Sequence, residues 1–174
     1  MISEFFFQIA GLKKLPRSGW KIKLGLENSE SVAEHSYMMS VMAMVLSDLK
    51  TLNSEKVIKM SILHDWAESK IGDFMPDEIG YDKKSELENY AMAEILELLP
   101  EKIKVDYQII WNEFLERRTS EARLVHELDK LEMALQAKLY ERDVEPEKVK
   151  PFIISAVEQV IDPDVKKILV DILK

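Results

Sequence analysis

The chain has 174 residues, with 24 Lys and Arg against 32 Asp and Glu and a net charge of -8. That length suits one well-buried core and is short for two ordinary domains, so a single domain over residues 1–174 is expected. The acidic balance disfavours a nucleic-acid polymer as partner, and the absence of cysteine excludes disulfides and thiolate metal sites. No run of about 18 apolar residues offers a membrane span, so a soluble, cytoplasmic protein is expected.

Taken in chain order, the pattern is helical nearly throughout, punctuated by only 5 Gly and 6 Pro. A short helix is expected over about residues 2–12, ending at Gly11, followed by an irregular basic loop over 13–30. Its cluster of Lys13, Lys14, Arg17, Lys21 and Lys23 can steer a small phosphate ester. Ser31-Val32-Ala33-Glu34 reads as a capping box. It should open a helix running to about Lys50, with His35 in its first turn and methionines 38, 39, 42 and 44 filling the core behind.

Ser54 is expected to cap a helix to about Lys70, with Ile58, Ile62 and Leu63 toward the core. Further helices are expected over about 82–99, 103–117 and 120–141, and two more with Pro146 and Pro163 in their first turns. Trp66 and Trp111 read as packing residues, and His126 as structural. These elements add up to an all-α single-domain bundle.

The chemistry concentrates in Ile62-Leu63-His64-Asp65-Trp66-Ala67-Glu68, with His35 upstream and Asp129 downstream. Each piece alone is weak, because a lone His on a helix is usually structural and an Asp usually pairs with a nearby Lys. Jointly, two imidazoles and two carboxylates from three helices suit one divalent ion. Mn²⁺, Co²⁺, Zn²⁺, Ni²⁺ and Fe²⁺ all fit such a donor set. His64 and Glu68, four apart, should share one helix face, with Asp65 about 100° around the axis.

The ordered His, His-Asp, Asp pattern resembles the HD-domain metal-dependent phosphohydrolases. Leu12 to Trp20, Glu30 to Ser36, Leu63 to Glu68 and Gly72-Asp73 together resemble their 5'-deoxynucleotidase-like branch, over about residues 5–145. The resemblance implies an HD-domain helical bundle, a divalent cation and a homodimer. It also implies hydrolysis of deoxyribonucleoside 5'-monophosphates to nucleoside and phosphate. Position by position, His35, His64, Asp65 and Asp129 match the metal ligands and Arg17 a residue near the substrate phosphate. Trp20 matches a residue lying against the sugar, and Glu68 and Asp73 match the acidic pair beside the metal.

One departure stands out: Ser18 and Gly19 separate Arg17 from Trp20, whereas the two are adjacent in the bacterial nucleotidases. That puts selection of deoxyribose over ribose in question.

The expected mechanism needs no more than these residues. Metal-activated water attacks phosphorus, Arg17 offers a bidentate fork to the phosphate, and Glu68 moves a proton. Asp73 is either a second acid–base group or a contact to a sugar hydroxyl. The alternatives are a phosphodiesterase or nucleoside-triphosphate hydrolase of the same superfamily, or a non-catalytic nucleotide-binding regulatory module. Glu68 and Asp73 favour an enzyme, since binding alone needs no proton-transfer acid.

Overall fold

The structure, a computed structural model, describes residues 2–174, and only the backbone at positions 76 and 77. Ten α-helices are present among the described residues, with no strand beyond one isolated bridge between Pro16 and Ser31. They are α1 (Ile2–Ala10), α2 (Val32–Leu49), α3 (Ser54–Leu63), α4 (Glu68–Ile71), α5 (Pro76–Ile79), α6 (Tyr81–Leu96), α7 (Glu101–Glu116), α8 (Ser120–Tyr140), α9 (Pro146–Gln159) and α10 (Pro163–Leu173). None of them is long and apolar enough to cross a membrane.

Apolar spacing along α8 explains why it is the central column. Leu124, Leu128 and Leu131 recur at helical spacing and are all at most 3% exposed. They pack with Met39, Met42 and Leu46 of α2, Val57 and Met60 of α3, and Val165 and Leu169 of α10. A second cluster joins Phe5, Leu12, Leu63, Trp66, Met92, Ile95 and Trp111, tying α1, α6 and α7 to the end of α3. The two tryptophans are therefore packing residues, as their sequence context suggested. The methionine expectation holds for Met39 and Met42, but Met44 is 49% exposed.

The capping box forms as expected. The Ser31 hydroxyl accepts from the Glu34 amide while the Glu34 carboxylate accepts from the Ser31 amide. The extended backbone before it pairs with the loop carrying Arg17, through Arg17 N–H to Glu30 O at 3.0 Å and Val32 N–H to Leu15 O at 2.9 Å. This pairing holds Arg17 beside the first turn of α2. The loop itself is less irregular than expected, because Gly11–Lys14 forms a 3₁₀ turn and Trp20–Leu24 a π-type turn.

The expected single helix from 54 to 70 is corrected. Asn53, not Ser54, supplies the cap, its side chain accepting from the Lys56 amide. The regular helix then ends at Leu63. From Trp66 to Lys70 the amides of Trp66, Glu68, Ser69 and Lys70 bond three residues back rather than four. Such tightening brings residues three apart into line, so Asp65 shares a face with Glu68 more closely than His64 does. Ile62, expected in the core, is 42% exposed.

Candidate metal centre and active-site cavity

Three helices bring the His and Asp side chains of the sequence pattern together. The first turn of α2 points His35 inward at 0% exposure, the tight turn after α3 carries His64 and Asp65, and α8 carries Asp129. One ligating atom each from His35, His64 and Asp129 falls within a group whose members all lie within 4.8 Å of one another. Asp65 adjoins it, with Oδ2 3.1 Å from His64 Nε2 and 3.7 Å from His35 Nε2.

The imidazoles are oriented by the groups behind them. His64 Nδ1–H donates to Ser61 O at 2.7 Å, and His35 Nδ1 meets Glu132 Oε2 at 2.5 Å. Each arrangement leaves Nε2 facing the cluster. His35 Nε2, His64 Nε2 and Asp65 Oδ2 are buried and have no hydrogen-bond partner among the described residues. Buried polar atoms without partners are costly. Their convergence with Asp129 is the donor set that a divalent cation satisfies, and His and carboxylate donors suit a borderline metal.

The electrostatics agree. Burial opposes charge on Asp65, but His64, His35 and Arg17 outweigh it and hold the carboxyl well below the usual range. Asp129 is partly buried, its side chain 23% exposed, and Lys130, His35 and Arg17 hold its carboxyl well below the usual range. Burial and Arg17 oppose a charge on His35, whereas Asp129 and Glu132 carry its pKa up to about 9. Arg17 is held by both acids, 3.6 Å from Asp65 and 3.8 Å from Asp129.

This cluster lies in the wall of a cavity of about 660 Å³ lined by Arg17, Asp65, Glu68, Asp73 and Asp129 among others. Glu68 is 4% exposed. Burial first, then Asp65 and Asp73, push its carboxyl well above the usual range against the pull of Lys84 and Arg17. Lys84 Nζ stands 3.6 Å from Glu68 and donates to Phe74 O at 2.7 Å. Asp73 Oδ2 accepts from the Ser18 amide at 2.6 Å, while the Ser18 hydroxyl donates to Asp73 O at 2.5 Å. The Ser18-Gly19 step between Arg17 and Trp20 therefore latches the Asp73 loop to the Arg17 loop.

Trp20 is 1% exposed, its ring packed 4.3 Å from that of Phe152 and 5.4 Å from that of Tyr140. Its indole N–H donates to Glu30 Oε1 at 2.8 Å. It lines the cavity only from within this packed layer, while Phe74, Tyr81 and Phe152 also face the space. His126 also lines the cavity, but its Nε2–H donates to Phe114 O and its ring stacks on Phe114 at 4.1 Å. Burial lowers its pKa to about 4, so it stays neutral.

Sequence reasoning passed over Glu132 and Lys84. Glu132 carried a readable signal, being a carboxylate four residues after Leu128 on the buried face of α8, where charge is costly. Lys84 carried none, because it sits in the charged run Asp82-Lys83-Lys84 that reads as a solvated face.

Known proteins share the sequence and the fold. The chain is 36% identical over 168 residues to the 5'-deoxynucleotidase HDDC2 of Xenopus laevis, covering 95% of this chain and 83% of that protein. It is 35% identical to the human HDDC2 over 169 residues, covering 95% and 81%. Among solved structures, a conserved hypothetical protein from Pyrococcus furiosus superposes with a TM-score of 0.81 at 29% identity, covering 98% of both chains. A protein from Pyrococcus horikoshii OT3 gives 0.79 at 33% identity, covering 99% and 96%. A family model described as an HD domain matches residues 9–168. The chain belongs to the HD-domain family.

Proposed function

We propose that this protein is a metal-dependent phosphomonoesterase of the 5'-nucleotidase type, hydrolysing nucleoside 5'-monophosphates, the deoxy forms first among them. The observation that carries the reading is the meeting of His35, His64 and Asp129 within 4.8 Å, in a cavity that also holds Arg17 and a buried Glu68. The relatives named as 5'-deoxynucleotidases support the same substrate class. In this reading His35, His64, Asp65 and Asp129 are the ligands of one divalent ion.

When bound, that ion supplies Lewis acidity toward the phosphate and readies water for attack at neutral pH. The protein's own groups do the rest. Arg17 turns its fork to the phosphate oxygens and offsets their charge. Glu68, whose burial beside Asp65 and Asp73 favours its protonated form, donates that proton to the 5'-oxygen as the P–O bond breaks, releasing the nucleoside as an alcohol. Asp73 has Oδ2 committed to Ser18, which leaves Oδ1 to accept from a sugar hydroxyl. Phe74, Tyr81 and Phe152 offer apolar surface to the sugar and base.

We extend the reading to the whole chain as one domain working in the cytoplasm as a homodimer on a small nucleotide, without nucleic-acid polymer or membrane. The test of the site is a pair of variants. His64→Ala should lose bound metal and phosphate release together, whereas Glu68→Gln should keep its metal and lose turnover. Full turnover in metal-loaded Glu68→Gln removes Glu68 from the mechanism, and undiminished metal in His64→Ala removes the ligand assignment.

A further inference from the structure

We infer that Glu132, backed by Glu30, is the positioning residue that presents His35 to the metal through Nε2. The assignment rests on His35 being a ligand. Glu132 is 1% exposed and its Oε2 stands 2.5 Å from His35 Nδ1. Atoms of Glu30, His35 and Glu132 also lie within 4.8 Å of one another, so this trio invites comparison with a second metal site. The short contact argues against that. An ion bound to both groups sits about 2.0–2.2 Å from each donor, which ordinarily holds the donors about 3 Å apart. A separation of 2.5 Å leaves space for a hydrogen and nothing larger.

The brace has a second layer. Glu30 Oε1 accepts from the Trp20 indole N–H at 2.8 Å, and the Glu30 amide donates to the Tyr140 hydroxyl at 2.8 Å. Trp20 in turn packs on Phe152. Atoms of Glu30 lie within 4.8 Å of Glu132, so the surroundings of Glu132 adjoin a layer that also forms the cavity wall. Trp20 belongs to this support, which accounts for its burial better than stacking on a sugar does. A carboxylate behind a ligating imidazole fixes its tautomer and raises its basicity, and removing such a partner typically costs about 10- to 100-fold in metal affinity.

The experiment measures Co²⁺ affinity by chelator competition, with the absorption spectrum of the bound ion, for wild type, Glu132→Gln, Glu132→Ala and His35→Ala. Glu132→Ala should bind about 10- to 100-fold more weakly and show an altered cobalt spectrum. Glu132→Gln, whose amide oxygen still accepts from Nδ1–H, should recover most of that loss. A folded Glu132→Ala with wild-type affinity and spectrum, beside a His35→Ala that loses metal, overturns the role of Glu132 alone. Wild-type affinity in His35→Ala overturns the ligand assignment beneath it. Should the alanine variants fail to fold, nitrogen NMR of zinc-loaded wild type decides. A proton on His35 Nδ1 with metal on Nε2 is expected, and ligation through Nδ1 overturns the inference.

Discussion

At the scale of single residues, the site works by setting neighbouring carboxyls to opposite states. Asp65 and Glu68 both line the cavity and both are buried, yet the first is held ionised by His64, His35 and Arg17 and the second is pushed toward its protonated form. In the proposed function, this divergence separates ligation by Asp65 from acid catalysis by Glu68. Glu30 shows the same physics away from the chemistry. Burial, then Glu132, raise its pKa from 4.5 to about 7, against the Trp20 hydrogen bond. Between those values the folded protein holds a proton that the unfolded chain has released. Glu30 thus contributes stability below pH 4.5 that is lost as pH rises toward 7. In metal-stripped protein, Glu30→Gln should flatten that decline by on the order of 1–3 kcal/mol, read from urea midpoints at pH 5 and pH 8. Parallel pH profiles for the two proteins count against a buried, proton-holding Glu30.

The Lys84 ammonium is the other residue-scale lever. It is drawn to Glu68 and Glu88 and tied to the Phe74 carbonyl. Lys84→Met removes the cation that favours ionised Glu68, so Glu68 should hold its proton to still higher pH. The alkaline limb of the kcat profile should move up while metal content stays constant. An unmoved limb separates Lys84 from the proton transfer.

At the scale of elements, legibility followed the strength of local signals. The start of α2 was readable because a capping box is a chemical motif, and the two Pro-led helices α9 and α10 because proline suits a first turn. The break between α3 and α4 was not, since apolar periodicity runs on through Leu63 and the switch to bonds three residues back leaves no residue signature. That switch lies within the site, between Asp65 and Glu68. Similarly, His35, His64 and Asp129 could be collected from their order in the chain, and Glu132 from its spacing to Leu128 on the apolar face of α8, but Lys84 needed the packing of α6. The burial of Trp20 was hidden for the same reason, as Phe152 lies on a distant helix.

Gly72 is the element-scale test of the Asp73 loop. It ends α4 at φ 89° and ψ 166°, a region almost reserved for glycine, and an added Cβ would meet nothing within 4 Å. Gly72→Ala should therefore cost about 1–3 kcal/mol through backbone strain alone. It should also raise KM as the Ser18–Asp73 latch loosens. An unchanged urea midpoint and KM would show that the loop readily takes another path.

At the scale of the whole molecule, the centre joins α2, the end of α3 and α8, the helices that also build the main core. A cation bridging them binds the folded state and not the unfolded chain, so metal and stability are linked. Metal at about 100 times its Kd should add about 2.7 kcal/mol, or roughly 5–10 °C in Tm for a chain of this size. Chelator should reverse it. A Tm indifferent to metal contradicts ligands drawn from three helices.

The most direct test of the account is phosphate release by chelator-stripped protein resupplied with single divalent metals. The substrates are paired deoxyribo- and ribonucleoside 5'-monophosphates, with a triphosphate and a phosphodiester as controls. The account predicts release only with metal, from monophosphates and foremost from the deoxy forms. Turnover confined to the diester or the triphosphate would contradict the substrate assignment, and absence of turnover in protein with proven bound metal would contradict the enzyme itself.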